Sequence, residues 1–286
     1  MKKLSLIILI TTSLILSPLG FCCDSGDPIK INVASAGSKY NRAGISSAVI
    51  KNKTGKFIKG RKSNKKRPLA SLTKLMTALV LLDEGINFNK KVTITKKDLN
   101  HVRKYVSGGA SRVGLRAGDK VKVKDLWNAM LIASCNDSAA ALVRGSGLSM
   151  KQFKKKMNAK AKSLGLKKTK FTECSGIDVK NVGTAREMAV IAREAFAKKK
   201  IRKASRRKSY RINILNSRRS ITVKNRNGSL LKMKPSGFKI GYLTEARNNV
   251  AICLKGKKKK KGIIVVLHAK TTYDRNKEIK KLKKKL

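Results

Sequence analysis

The chain has 286 residues, 70 of them Lys or Arg against 15 Asp or Glu, a formal charge of +55. At 41% hydrophobic residues it is not a disordered polybasic chain, because such chains are too poor in apolar residues to build a core. The length suits one large domain or two small ones. The charge points to a polyanion (nucleic acid, an anionic membrane or an anionic cell wall) or, more plainly, to a Lys-rich solvated face.

Lys2 and Lys3 precede a nearly all-apolar run from Leu4 to Leu16, followed by Pro18, Gly20 and a polar stretch from Asp24. This is the layout of a secretory signal peptide. The run falls short of the ~20 apolar residues that a membrane span needs. Residues 1–23 are therefore read as a signal peptide whose end is not fixed. Leu19 to Cys22 has some likeness to a lipoprotein signal, but Phe21 stands where that pattern has a small residue. Export weakens nucleic acid as the partner. Zinc-finger spacing, an RNP-like aromatic run and a basic-zipper pattern are all missing, and 5% aromatics offers little to stack bases on. Cys135, Cys174 and Cys253 lie beyond the signal with no Cys-x-x-Cys pair, so they read as small buried thiols and no metal site is expected.

Ile45 to Ile50, a turn at Lys51 to Gly55, and Lys56 to Lys59 read as a β-hairpin. Leu75, Met76, Leu79, Val80 and Leu82 are spaced as on a helix that Gly85 stops. Val92 to Thr95 is a short strand, and the Gly-punctuated stretch Ser107 to Gly118 is loop. Val123 to Val143 reads as a helix broken near Ser134, and Met150 to Leu164 and Thr184 to Phe196 as amphipathic helices. Thr184 with Glu187 suggests a capping box. The period then changes: Tyr210 to Ile214, Ser220 to Val223, Val250 to Leu254 and Gly262 to Leu267 read as strands, and Tyr273 to Leu286 as a helix with Ile279 and Leu282 inward. Lys257 to Lys261 is an exposed hairpin loop, since five ammonium groups cannot be buried together. The lysines near the C-terminus read as a surface helix with snorkelling side chains, with an anionic membrane as the alternative. The order implies a mixed α/β fold in which early and late segments share one sheet.

Ser71 and Lys74, three apart, share a helix face. A Lys amine whose pKa is depressed can take the proton of a Ser hydroxyl, and the helix N-terminus favours negative charge there. Alone, Ser-x-x-Lys is more often a helix cap. Here Ser134-Cys135-Asn136 and then Lys239-Ile240-Gly241 follow it. Ser-x-x-Lys, Ser-x-Asn and Lys-Thr/Ser-Gly in that order are the motifs of penicillin-recognising serine acyltransferases.

Ala70 to Val80 resembles the nucleophile helix of the D-alanyl-D-alanine carboxypeptidases of peptidase family S11, the low-molecular-mass penicillin-binding proteins. Gly118 to Leu126 with Ile132 to Leu142, Phe171 to Asp178 with Gly183 to Ala189, and Phe238 to Ala246 resemble further segments of that family, so the likeness spans roughly residues 40 to 283. The resemblance implies a DD-peptidase/serine β-lactamase-like fold: an antiparallel sheet flanked by helices, with a helical subdomain and the site between them. It implies that residues 24–286 form one carboxypeptidase domain with no additional C-terminal domain. It implies Ser71 as nucleophile on the penultimate D-Ala carbonyl of a peptidoglycan stem peptide and Lys74 as general base. Ser134 and Asn136 would move protons and hold the substrate amide. Lys239 would bind the substrate carboxylate, with Gly241 and Tyr242 beside it, and the N–H groups of Ser71 and Tyr242 would form the oxyanion hole. No cofactor and no metal is implied, β-lactam antibiotics are the expected inhibitors, and His101 and His268 have no role.

Two positions depart from the family pattern. Ile240 stands where the family has Thr or Ser, whose hydroxyl contacts the substrate carboxylate. Glu173 stands where the family often has Asn, and is expected to be a surface or loop carboxylate. A class A-like β-lactamase is the enzyme alternative, with Glu173 as its tempting base, although the Glu-x-x-x-Asn pattern is absent. A degenerate, non-catalytic wall-binding homologue is the other. The expected location is outside the cytoplasm, periplasmic or extracellular, with anionic wall polymers or a membrane surface as charge-directed partners and no role for nucleic acid.

Overall fold

The computed structural model describes residues 42, 44–102, 105, 111–256 and 260–286. The signal-peptide reading, Cys22 and Cys23, and parts of the Ser107 to Gly118 loop and the Lys257 to Lys261 run fall outside these residues. Strand β1 (Ser46–Lys51) turns into β2 (Phe57–Arg61), and a short β3 (Arg67–Pro68) leads through a 3-10 turn at Ala70–Leu72 into α1 (Thr73–Asp83). The helical part follows: β4 (Lys91–Thr93), α2 (Lys96–Asn100), β5 (Lys120–Lys122), α3 (Val123–Ile132), α4 (Asn136–Gly145) and α5 (Met150–Ser163). After β6 (Val182–Gly183) come α6 (Ala185–Ala197), α7 (Lys199–Ser205), β7 (Ser209–Asn213), β8 (Ser220–Lys224) and α8 (Gly228–Leu231). The chain closes with β9 (Gly237–Leu243), β10 (Arg247–Lys255), β11 (Lys261–Ala269) and α9 (Thr272–Lys283).

The main sheet has the order β2-β1-β11-β10-β9, and all its pairings are antiparallel. Early and late segments meet in it as Ser46 opposite Leu267 and Ile50 opposite Ile263. Its strands are continuous apolar runs because helices cover both faces, so neither side of the alternation is free to be polar. Ala251, Cys253, Ile263, Val265 and Leu267 pack with α1, α3, α4 and α6. Their neighbours Val250, Ile252, Leu254, Ile264 and Val266 pack with Ile279 and Leu282 of α9. The mixed α/β architecture is that of the expected fold. Cys135, Cys174 and Cys253 are buried thiols, not disulfide partners.

Two helices that periodicity did not reveal have local causes. α2 holds only Leu99 as a large apolar residue. Its Thr95–Asp98 capping box and the Arg144–Asp98 ion pair hold it instead. α7 buries little beyond Ile201 and Ala204, too few to show a period. At α6 the capping box is half made. Thr184 accepts from the Glu187 N–H, while the Glu187 carboxylate turns to Lys168 N–H and Thr169 Oγ1.

Burial sharpens the charge asymmetry. Among the described residues the buried acids are Asp98, Asp119, Asp125, Asp137, Glu173, Asp274 and Glu278, whereas only Lys74, Lys239 and Arg275 are buried cations. The surface is therefore more basic than the composition.

Candidate active site

Ser71 sits in the 3-10 turn that opens α1, and one turn on Lys74 points back at it. Lys74 is 0% exposed. Its Nζ donates to Ser71 Oγ at 2.8 Å, to Asn136 Oδ1 at 2.6 Å and to the Ser175 carbonyl at 2.6 Å. Three acceptors match the three protons of an ammonium. Burial nevertheless dominates and lowers its pKa to about 8, with the negative charge of Glu173 the main opposing influence.

Ser134 lies between α3 and α4 with φ +64°, and its left-handed backbone breaks the helix there. Its Oγ accepts a 2.7 Å hydrogen bond from Lys239 Nζ, which also donates to the Ile240 carbonyl at 3.1 Å. Burial, then the nearby Lys74 charge, hold the Lys239 amine well below its ordinary range.

β9 is the edge strand of the sheet and lies against the Ser71 turn. Gly241 allows that approach. A Cβ there would come within 2.9 Å of the Ser71 nitrogen and 3.1 Å of the Leu69 carbonyl oxygen. Tyr242, next along, is exposed. Ile240 is half-buried and packs with the α9-side cluster, opposite to Lys239. The structure thus brings Ser71, Lys74 and Asn136 into one hydrogen-bonded group and Ser134 and Lys239 into a second, with Gly241 and Tyr242 on the strand alongside.

Glu173 meets one half of the sequence expectation of a surface or loop carboxylate and corrects the other. It lies in a loop, but not at the surface: it is 0% exposed, at the centre of that loop. Oε1 accepts from the Gly176 N–H, from the Ile177 N–H at 3.0 Å and from Asn181 Nδ2 at 2.6 Å. Oε2 accepts from Ser175 N–H and Oγ at 2.6 and 2.7 Å, and pairs with His101 Nε2 at 3.1 Å. Burial pushes this carboxyl up, but hydrogen bonds from His101 and Ser175 outweigh it and hold the pKa at about 2. The loop wrapped on Glu173 offers the Ser175 carbonyl to Lys74. A sequence signal existed: an acid is rare in this chain, and this one stands immediately before the small and apolar run Cys174 to Ile177.

His101, Glu173 and Cys174 have donor atoms within 4.8 Å of one another. They do not suit a cation. The carboxylate oxygens already accept six hydrogen bonds, and burial raises the Cys174 thiol well above its ordinary range, so it stays protonated.

A serine hydroxyl bonded to a buried amine, at the seam between a sheet edge and a helical cluster, can run acyl transfer without histidine. By sequence the chain belongs to the D-alanyl-D-alanine carboxypeptidase family, peptidase S11, whose sequence model matches residues 34–271. D-alanyl-D-alanine carboxypeptidase DacF of Bacillus subtilis is 32% identical over 244 residues, 83% of this chain. The chain spans 60% of that relative's length. A D-alanyl-D-alanine carboxypeptidase of Streptomyces is 33% identical over 227 residues, 75% of this chain and 77% of that protein. Among solved structures, a mutant of the Streptomyces K15 DD-transpeptidase superposes with a TM-score of 0.78 at 30% identity, covering 86% of this chain and 98% of that one.

Proposed function

We propose that the protein is a serine D-Ala-D-Ala carboxypeptidase of the cell wall, exported by a signal peptide within residues 1–23, with its catalytic domain in residues 24–286. The observation that carries this is the short contact between Ser71 Oγ and the buried Lys74 amine, inside a chain of this family. Ser71 attacks the carbonyl carbon of the penultimate D-Ala of a stem peptide and its proton passes to Lys74. The backbone N–H groups of Ser71 and Tyr242 hold the oxyanion. Ser134 relays that proton from Lys74 to the departing D-Ala nitrogen, Asn136 holds the substrate amide, and Lys239 holds the terminal carboxylate. Water then hydrolyses the acyl-enzyme, and β-lactams inhibit by acylating Ser71. Incubation with a pentapeptide ending in D-Ala-D-Ala should yield a product lighter by one alanine. An intact peptide would overturn the reading.

The burial of Glu173 argues against the β-lactamase alternative. A carboxylate engaged by six donors and closed to solvent has no lone pair to offer a hydrolytic water. Slow release of a fluorescent penicillin after rapid acylation fits this, whereas fast turnover would favour a lactamase.

The Lys74 pKa gives a pH dependence. A base must be uncharged, and lowering the pKa from 10.5 to about 8 raises the neutral fraction at pH 7 from about 0.03% to about 10%. Acylation by penicillin should rise about tenfold from pH 6 to 7 and level off above about 8. A flat profile over that span would exclude Lys74 as the base.

Ile240 cannot hydrogen-bond a carboxylate. Its side chain also packs towards α9, opposite to Lys239, so Ile240→Thr should leave kcat/KM on the pentapeptide close to the parent value. A rise of about tenfold or more, the worth of one bond to a charged group at ~1.5–3 kcal/mol, would mean that a hydroxyl at this position does reach the substrate carboxylate.

A further inference from the structure

The segment from α7 into β7 and the segment from α8 into β9 enclose an open groove of about 450 Å³. Lys203, Arg206, Arg207, Lys208 and Lys234 line it over a floor of Leu231 and Pro235. All five cations are exposed, no carboxylate is in the lining, and none of the five is in an ion pair among the described residues. Lysines elsewhere do find acids, as Lys156 does with Glu84 and Lys160 with Asp83. Two features fix the groove's shape. The Arg207 guanidinium stacks 5.2 Å from the Tyr210 ring centroid, and Lys234 holds a left-handed backbone at φ +51°, unusual for a residue with a Cβ.

We propose that this groove binds a linear polyanion of phosphate or phosphodiester units. Five like charges around a concavity raise local anion concentration, and two arginines supply the forked donors that match phosphate oxygens. A bilayer is the poorer occupant. The exposed large hydrophobics among the described residues are Val179, Leu215, Tyr242 and Tyr273, none of them in the groove to insert among lipids. A nucleic acid would lack an aromatic face in the lining to stack on. The groove is also tied to the candidate site. Pro235 precedes Lys239 by four residues, a reach of at most about 14 Å, and Ser205 Oγ at the end of α7 accepts the Phe238 N–H. A phosphate chain held here lies beside the active-site strand, so the groove docks the enzyme on a phosphate-bearing wall polymer with its cleft close to the anchor.

Long-chain inorganic polyphosphate is the probe, titrated against the full chain at ~0.15 M salt, with poly-glutamate of similar length as the carboxylate comparison. The groove variant carries Lys203→Gln, Arg206→Gln, Lys208→Gln and Lys234→Asn, Asn being at ease with positive φ. A control variant removes the same number of charges from the exposed face of α5: Lys151→Gln, Lys154→Gln, Lys155→Gln and Lys162→Gln. The groove variant should bind polyphosphate about tenfold or more weakly and with a shallower salt dependence, the control within about threefold of the parent. Both variants should keep the parent's rate of acylation by penicillin, which verifies folding. Should the fourfold variant not fold, Arg206→Gln with Lys208→Gln still removes two exposed charges and should weaken binding about threefold. Equal weakening by groove and control variants would reduce the effect to net charge and overturn the proposal. So would equal affinity of the parent for polyphosphate and poly-glutamate, tighter binding of single-stranded DNA than of polyphosphate, or groove-dependent capture by anionic vesicles without polyphosphate binding.

Discussion

Lys74→Ala should abolish acylation by a fluorescent penicillin, with a loss of about 10²–10⁴-fold in rate. The side chain is fully buried and is the amine bonded to Ser71 Oγ, so its removal leaves the hydroxyl at its ordinary, unreactive pKa. Lys74→Arg separates base from charge. A guanidinium keeps the positive charge but does not give up its proton near neutral pH, so it should be nearly as inactive as Ala. Retention of rate within tenfold by Lys74→Arg would show that the site needs only a cation there. Ser71→Ala should abolish covalent labelling altogether, and if it does, the non-catalytic wall-binding alternative fails.

Glu173→Ala should cost about 3–5 kcal/mol of stability, the range for stripping one partner from a buried charged network. The backbone N–H groups of Ser175, Gly176 and Ile177 and the Asn181 amide would all lose their acceptor, and His101 its hydrogen-bond partner. For a chain of this size that corresponds to a fall in Tm of roughly 5–8 °C. Glu173→Gln keeps the shape and one acceptor oxygen and should lose less. The pH dependence follows from the carboxyl's depression from 4.5 to about 2. A group ionised more readily folded than unfolded stabilises fully above the unfolded value. That stabilisation, roughly 3 kcal/mol, is lost as the pH falls from about 4.5 towards 2. Acid unfolding of Glu173→Gln should lack this component. An unchanged acid profile, with Tm within a few degrees of the parent, would place the loop's stability elsewhere.

The sheet was legible in the sequence because strands covered on both faces are apolar without interruption, as in β10 and β11. The broken helix at Ser134 was legible because a polar Ser-Cys-Asn step interrupts an apolar run. The short motifs Ser71 to Lys74, Ser134 to Asn136 and Lys239 to Gly241 carried the family resemblance, since their order is more specific than any one of them. What escaped has a common cause. α2 and the Glu173 loop are held by polar contacts from distant segments, Arg144 onto Asp98 and His101 onto Glu173, with Asn181 closing the loop on Glu173 from its far end. Periodicity records which faces are apolar, but is silent on which buried acid meets which donor. Thr184 and Glu187 show the same limit, because the spacing of a capping box does not reveal that Thr169 competes for the carboxylate.

The pairing of β1 with β11 sets the order in which the molecule can be completed. β1 (Ser46–Lys51) and its neighbour β11 (Lys261–Ala269) lie more than 200 residues apart in sequence, so this strand pair forms only once the chain through β11 is available. Contacts of such sequence separation close slowly, since the loop entropy is lost before the pairing repays it. The helical cluster, built from neighbours in sequence, can collapse first, but Lys239 and Gly241 come to Ser71 only on a strand that has joined β10. A chain emerging N-terminus first therefore carries its serine early and its working site last, and stays inert towards its surroundings until the sheet is closed.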